Sequence, residues 1–251
     1  MAQERGQDRP QDGTPAPTSA AREPAAASSR AEIDAFLNRA RGLAPMTAPG
    51  KRGRLVFALD ATMSRQPTWD TACRLQADMF REAAAVGGLE IQLAYYRGLA
   101  ECRASGWVAQ AQRLAELMSR IECRGGRTQI RKVIAHVRRE TEAAKVQALV
   151  FVGDAMEESL DDLCAAAGEL GLLSVPAFMF QEGSDLVAEQ AFREIARLTR
   201  GAYCRFDPGA AHELAELLRA AAAYAAGGMK ALADLSARHD AGAIRLLRQM
   251  R

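Results

Sequence analysis

Three oxygen-bearing side chains stand at alternate positions at the end of a short apolar run. The run is Leu55–Asp60, and the side chains belong to Asp60, Thr62 and Ser64. Because the run is rich in branched and aromatic residues, it predicts a buried β-strand that ends at the acid. The loop that follows leaves the carboxyl end of a central strand, which is where open α/β sheets bind ligands. Carboxylate and hydroxyl oxygens on one tight loop suit a hard cation such as Mg²⁺.

Two further oxygens occur in similar surroundings later in the chain. The apolar run Ala148–Gly153 is followed directly by Asp154, and Thr128 stands in the glycine-containing loop Gly125–Thr128. A doubly wound sheet brings the ends of neighbouring strands to one edge. We therefore expect these side chains to converge with the first three, although they lie far apart in the sequence.

The elements that must position these residues alternate between strand and helix patterns. The predicted strands are Leu55–Asp60, Leu89–Tyr96, Glu101–Ala104, Ala148–Gly153, Leu172–Phe180 and Ala202–Phe206. The predicted helices are Thr68–Val86, Val108–Ile121, Thr128–Ala144, Ser159–Leu170, Leu186–Thr199 and Ala210–Ala225. Continuous apolar strands alternating with helices indicate a parallel sheet that is covered on both faces. We predict an α/β, Rossmann-like, doubly wound, mostly parallel six-stranded sheet with one short antiparallel edge strand and helices on both faces.

The two ends of the chain differ from this body. Residues 1–28 are poor in residues that form a core, which predicts a disordered tail. Residues 29–53 are predicted to form a short helix, which opens with the capping-box pattern Ser29–Glu32, and a linker. The domain itself is assigned to 54–225. Residues 226–251 are predicted to form a C-terminal helical extension, and we expect its last amphipathic helix, Ala243–Met250, to dock on the domain or on a partner.

Composition excludes several classes of function. The net charge of +2 and the aromatic content of 6% give no drive toward nucleic acid or an anionic membrane surface. No apolar run approaches the length of a membrane span, and the N-terminus lacks the apolar core of a signal peptide. The five cysteines are scattered and never form a Cys-x-x-Cys pair. Reduced thiols in the cytoplasm are the expectation that fits them.

The five oxygen positions together resemble the metal-ion-dependent adhesion site of the von Willebrand factor A (VWA) domain family, in its bacterial intracellular form. That pattern is Asp-x-Ser/Thr-x-Ser, then Thr, then Asp. The matching residues here are Asp60, Thr62, Ser64, Thr128 and Asp154. The resemblance covers about Arg54 to Tyr224, and the number and order of the predicted elements fit it throughout.

The resemblance implies a ligand set and a function. Thr62 and Ser64 would ligate Mg²⁺, or Mn²⁺, directly, and Thr128 would do so directly or through water. Asp60 and Asp154 would act largely through bound waters. The remaining position would accept a carboxylate from a protein partner. The implied function is a non-enzymatic binding module that docks an acidic residue of its partner onto the metal, without a small-molecule substrate.

Arginines in the same loops depart from that simple picture. Arg65 follows Ser64, Arg127 precedes Thr128, and Arg124 stands in the same loop as Arg127. These cations either lower metal affinity or clamp an anionic partner, and a third interpretation is that they point to solvent. We predict that Arg65 and Arg127 contact the partner.

Other interpretations of the same residues stay open. A strand-end Asp is the nucleophile in some Mg²⁺-dependent phosphohydrolases, but Thr62 stands where those enzymes place a second Asp. A scaffolding subunit with a vestigial metal site is a further alternative. In the simplest interpretation, Thr62 and Ser64 bond to nearby backbone, and Asp60 and Asp154 cap helices.

Overall fold

A computed structural model of the chain describes residues 52–86, 88–207 and 209–250. The predicted disordered tail, 1–28, lies outside the described residues. So does the predicted short helix and linker, except for its last two residues. Of these, Gly53 begins the first strand.

The described part of the chain forms one six-stranded sheet with the order β3-β2-β1-β4-β5-β6. Its strands are β1 Gly53–Asp60, β2 Leu89–Arg97, β3 Glu101–Ala104, β4 Ala148–Gly153, β5 Ala177–Glu182 and β6 Ala202–Phe206. All pairings are parallel except that of β2 with β3, which is antiparallel at one edge. This arrangement confirms the predicted fold class.

Helices cover both faces of the sheet. They are α1 Gln66–Val86, α2 Ala111–Met118, α3 Ile130–Ala143, α4 Leu160–Leu172, α5 Leu186–Thr199, α6 Ala211–Ala237 and α7 Ala241–Leu247. Because side chains alternate along a strand, each strand feeds two cores. Leu55, Phe57 and Leu59 pack with α1, α2, α6 and α7 on one face. Val56 and Ala58 pack with α3, α4 and α5 on the other.

Several predicted elements have different bounds in the structure. The strand predicted at Leu172–Phe180 instead begins at Ala177 and runs on to Glu182. The apolar residues Leu173 and Val175 were predicted to belong to the strand. They are instead buried in the turn that ends α4, where their N–H groups donate to helix carbonyls. The strand consequently ends on an acid.

The helix predicted at Val108–Ile121 is also shorter, and spans only α2. Val108 instead exchanges two backbone hydrogen bonds with Ile91, of 2.8 and 2.9 Å, and so extends the sheet. The helix predicted to open at Thr128 begins at Ile130. Thr128 thus lies in a loop, where its side chain and backbone are free to bond to a neighbouring loop.

The last part of the chain packs onto the domain. Helix α6 crosses residue 226, the predicted start of the extension, and it is interrupted at Gly228, which has a φ of 70°. Ala243 and Leu246 of α7 are fully buried in the same core as β1. The predicted helix at Ala243–Met250 therefore docks on the domain. No described helix is both long enough and apolar enough to cross a bilayer.

Candidate functional site

The predicted site residues lie at the carboxyl edge, by which we mean the edge of the sheet where the five parallel strands end. Asp60 is the last residue of β1 and is paired in register with Tyr96 of β2. Gly153 of β4 is paired with Gln181 of β5, so Asp154 and Glu182 follow at neighbouring positions. The ends of three adjacent strands, β1, β4 and β5, thus each carry an acid.

Asp60 is buried and held by two hydrogen bonds. The backbone N–H of Thr62 donates to Oδ1 at 2.7 Å, and the Tyr96 hydroxyl donates to Oδ2 at 2.9 Å. Burial raises the pKa of Asp60, these hydrogen bonds lower it, and the nearby charge of Asp154 raises it further. Burial also raises the pKa of Tyr96, which keeps its hydroxyl protonated as a donor. The side chain of Asp60 is therefore held in one position in the interior.

Thr62 and Ser64 stand on a short turn that their own backbone forms. Arg65 N–H donates to the Thr62 carbonyl at 3.0 Å, which closes the 3-10 turn Met63–Arg65 ahead of α1. The hydroxyls of Thr62 and Ser64 lie 3.2 Å apart and share a hydrogen bond. The predicted Asp-x-Thr-x-Ser spacing thus places the two hydroxyls side by side, directly after Asp60.

Thr128 is fixed by the loop that follows β4. Its Oγ1 accepts a hydrogen bond from the Glu157 N–H at 2.9 Å, and its own N–H donates to Glu157 Oε2 at 3.2 Å. The next acid, Glu158, accepts hydrogen bonds from the N–H groups of Ile130 and Arg131. It therefore caps the first turn of α3 across the loop.

A close backbone contact sets the position of this loop. Gly126 lies against Gly98 in the turn between β2 and β3, and a side chain at Gly126 would overlap the Gly98 carbonyl. The N–H of Arg127 donates to that same carbonyl at 3.1 Å. The glycine is thus required by the packing of two loops, and it places Arg127 with its side chain exposed beside Thr128.

Arg65, which we predicted to contact the partner, lies in the interior. Only 1% of the residue is exposed. Its Nη1 forms an ion pair with Glu182 Oε2, which also accepts a hydrogen bond from the Thr68 hydroxyl. Its Nε lies 4.0 Å from Asp154 Oδ1. Burial lowers the pKa of the Arg65 guanidinium, and the charges of Asp154 and Asp60 raise it.

Three polar atoms of this group are incompletely satisfied. Within the described ranges, Asp154 Oδ1, Arg65 Nε and Arg65 Nη1 are buried and have no hydrogen-bond partner of good geometry. Buried polar atoms in folded proteins nearly always have such partners, so each exception calls for an explanation. Three of the five such atoms in the described ranges thus belong to two neighbouring side chains at the carboxyl edge, and the other two are Arg138 Nε and Thr141 Oγ1 in α3.

The donor set fits a hard divalent cation. Among the described residues, no three His, Cys, Asp or Glu side chains are grouped as a metal site by themselves, so hydroxyls have to contribute. Thr62, Ser64 and Thr128 supply them, and the buried oxygen of Asp154 supplies an acceptor that is available. These are the oxygen ligands that Mg²⁺ and Mn²⁺ take. The buried guanidinium of Arg65 opposes a second positive charge.

Exposed apolar side chains surround the site. Six large hydrophobic residues in the described part of the chain are well exposed, and four of them lie in the turns and the helix start that follow strands at the carboxyl edge. These four are Met63, Leu99, Leu186 and Val187. We call them, together with the exposed Arg127, the rim. Apolar side chains grouped around a polar centre are typical of surfaces that bind other proteins.

Three residues of the site were missed in the sequence: Tyr96, Thr68 and Glu182. Tyr96 could have been found from the alignment of the ends of β1 and β2, since it is the residue paired with Asp60. Glu182 was missed because the predicted strand ended at Phe180, two residues before the observed end. Nothing in the sequence around Thr68 indicates that its hydroxyl bonds to an acid so distant in the chain.

The fold is shared with solved structures. A von Willebrand factor type A protein from Catenulispora acidiphila matches with a TM-score of 0.56 and 21% identity, over 70% of this chain and 43% of that chain. An aerotolerance-related membrane protein from Bacteroides fragilis, solved with several substitutions to serine, matches with a TM-score of 0.51 and 18% identity. The match covers 66% of this chain and 96% of that chain. The SpRpn10 VWA domain matches with a TM-score of 0.51 and 14% identity, over 66% of this chain and 95% of that chain.

Comparison of the sequence with protein families and with curated proteins gave no match. The order of the strands, the antiparallel edge and the structural similarity nevertheless agree with one another. The described part of the chain has the fold of a VWA domain.

Proposed function

We propose that this chain is a protein-docking module that binds its partner at the carboxyl edge. The observation that carries the proposal is the coincidence of two features at one place. A buried, incompletely satisfied polar group stands at the centre, and exposed apolar side chains stand around it. A partner that covers the rim would bury apolar area and bring a polar group of its own to the centre.

We further propose that the central group is a metal site for Mg²⁺ or Mn²⁺, held by Thr62, Ser64 and Thr128 with Asp60 and Asp154 beside them. A cation bound there would supply positive charge for a carboxylate of the partner. The role of the protein is to keep the donors in place. Tyr96 fixes Asp60, and Glu157 fixes Thr128. The exposed Arg127 favours an acidic surround on the partner.

The position of Asp60 supports a binding role over phosphoryl transfer. A nucleophilic carboxylate must present a free oxygen to its substrate. Asp60 is 2% exposed, and each of its oxygens already accepts a hydrogen bond.

All five cysteines are unpaired, which is compatible with the cytoplasm that we propose for this protein.

One observation favours a second candidate, a docking module that works without metal. Arg65 already brings a positive charge to the acids of the carboxyl edge. A partner could then be recognised by the rim alone, and the metal site would be vestigial. The two candidates differ in whether binding requires a divalent cation.

Titration with Mn²⁺, followed by the electron paramagnetic resonance signal of the free ion, tests the metal. Thr128→Ala should weaken Mn²⁺ binding at least about tenfold, because it removes a ligand oxygen and the contact with Glu157. Thr141→Ala is a matched control, since Thr141 is a buried threonine of α3 away from the site. Equal affinity in the wild type and Thr128→Ala would refute the assigned ligand set.

The rim is tested by affinity capture from lysate of the source cells, with and without EDTA. Leu99→Ser and Leu186→Ser should each reduce capture of a protein that the wild type retains in Mg²⁺ and releases in EDTA. Leu172→Ser is the control, because Leu172 is 54% exposed but lies at the end of α4, away from the carboxyl edge. Capture that resists EDTA but depends on Leu99 would favour the metal-free candidate.

A further inference from the structure

Arg65 is a cation inside a cluster of acids. Its guanidinium forms an ion pair with Glu182 and lies 4.0 Å from Asp154 Oδ1, and the charge of Asp60 also acts on it. A buried charge persists only when opposite charges or hydrogen bonds compensate it. One side of this arrangement is complete. Glu182 forms the ion pair with Arg65 and also accepts a hydrogen bond from the Thr68 hydroxyl.

The other side of the arrangement is incomplete. Asp154 Oδ1 and Arg65 Nε are close enough to attract each other but too far apart for a hydrogen bond. Across the residues that the structure describes, neither atom has another hydrogen-bond partner. Asp154 is thus attracted by Arg65 without being satisfied by it, which leaves its oxygen available to a second cation.

We propose that Arg65 is a tethered cation that competes with the divalent ion for Asp154 and so sets the metal affinity of the site. The inference rests on the proposed metal site. With the site empty of metal, Arg65 balances Asp154 and Glu182. A divalent ion must bind against the positive charge of the guanidinium, and this repulsion is strong because both charges are buried.

The formal charges show what this competition achieves. Asp60, Asp154 and Glu182 contribute −3, and Arg65 brings the group to −2. A bound divalent ion then makes the group neutral, whereas without Arg65 it would stay at −1. An incoming carboxylate meets less repulsion at the neutral site. Arg65 therefore weakens the binding of metal alone and favours the joint binding of metal and an acidic side chain, which couples the two ligands.

A purely structural role for the Arg65–Glu182 pair makes different predictions. In that case, removing Arg65 would lower stability, because a buried acid loses its partner, and would leave metal affinity unchanged. Competition predicts a change in metal affinity even where the fold is kept intact. Metal binding to the unliganded protein is therefore the measurement that separates the two roles.

The experiment compares Mn²⁺ affinity in four proteins by the resonance signal of the free ion. Arg65→Gln should raise the affinity about tenfold or more relative to wild type. Arg65→Gln combined with Glu182→Gln keeps the formal charge of the group at −2 and removes the Glu182 carboxylate that Arg65→Gln alone would leave without its ion pair. It should still bind more tightly than wild type, because the competitor for Asp154 is gone. Arg127→Gln removes the same charge from the exposed rim and should change the affinity less than about twofold.

The outcomes separate this inference from the proposed function. If wild type binds Mn²⁺ and both Arg65 variants bind it equally or more weakly, the competition is refuted and the metal site stands. If only the Arg65 variants bind, the competition is upheld in its strongest form, and the metal-dependent function is refuted. If no variant binds, both are refuted. Circular dichroism melts establish which variants are folded, and the double substitution serves where Arg65→Gln alone unfolds.

Discussion

The carboxyl edge and the β6 side of the same sheet differ in whether their polar groups have hydrogen-bond partners within the chain. Strand β6 is an edge strand, and such strands expose backbone groups that attract other chains. Here the Gln249 side chain closes that edge. Its amide accepts from the Tyr203 N–H at 3.0 Å and donates to the Tyr203 carbonyl at 2.9 Å. Arg245 of α7 donates to the Arg205 carbonyl at 2.6 Å.

The carboxyl edge, in contrast, leaves buried side-chain atoms of Asp154 and Arg65 without partners along the described chain. Both regions belong to one sheet whose strands are buried, so the difference does not come from poor packing. The β6 side has its polar groups satisfied from within the chain, which is what stability requires. We propose that the missing partners at the carboxyl edge come from outside the chain. The contrast predicts that substitutions on the β6 side cost stability, whereas some at the carboxyl edge do not.

The largest effect is expected from Leu246→Ala in α7. Leu246 is fully buried against the β1 side of the core. Truncation leaves a cavity and should lower the free energy of unfolding by about 2–4 kcal/mol. Urea unfolding measures this, with the exposed Leu172→Ala as the matched control. A loss below that of the control would show that α7 is not part of the cooperative unit.

Tyr96→Phe tests the hydrogen bond that fixes Asp60. The substitution removes a buried donor and leaves Asp60 Oδ2 without it, so the free energy of unfolding should fall by about 1–3 kcal/mol. Tyr95→Phe is the control, because the Tyr95 hydroxyl makes only a long contact of 3.5 Å with Glu101. Similar losses in the two variants would mean that the hydroxyl of Tyr96 does not support the site.

Gln249→Ala should have a smaller effect on stability and a second effect on association. Losing the two hydrogen bonds to Tyr203 should cost about 1 kcal/mol. The opened edge of β6 should also promote self-association at high concentration. Chemical unfolding and light scattering measure the two effects, and Gln110→Ala, which replaces an exposed glutamine, is the control. A variant that stays monomeric at all concentrations would show that another group protects this edge.

Much of the fold was predictable because buried apolar runs and helix patterns dominate the sequence. The helix Leu186–Thr199 and the strand Ala202–Phe206 have the predicted limits. Errors arose where apolar residues are buried outside strands, as at Leu173 and Val175. Such residues satisfy the core without joining the sheet, and the pattern alone does not distinguish the two cases.

The site was less predictable than the fold because it depends on contacts between distant segments. The sequence predicted Asp60, Thr62, Ser64, Thr128 and Asp154 as site residues, and in the structure they lie at the ends of β1 and β4 or in the loops beside them. It did not show that Arg65 points inward, since that depends on Glu182 at the end of a strand far along the chain. The hydroxyl contributed by Tyr96 likewise requires the register between β1 and β2.

The smallest effect on stability is expected from Asp154→Ala. The variant to compare it with on the β6 side is Asp240→Ala. Asp240, at the start of α7, is a buried acid that accepts from the Ala243 N–H at 2.8 Å and pairs with Arg219 at 2.7 Å. Asp240→Ala should therefore lower the free energy of unfolding by about 1–3 kcal/mol, from the lost cap and ion pair.

Asp154→Ala has two opposing effects on the metal-free protein. It removes an attraction for Arg65 at 4.0 Å, and it relieves the repulsion that raises the pKa of Asp60. Because the substituted carboxylate oxygen satisfies no hydrogen-bond donor in the described structure, the net change should stay within about 1 kcal/mol of wild type. Thermal melts in EDTA and in Mg²⁺ provide the measurement. Wild type should gain stability from Mg²⁺, as a ligand of the folded state does, and Asp154→Ala should not. If Asp154→Ala in EDTA loses as much as Asp240→Ala, Asp154 is a structural acid, and the contrast between the two regions fails.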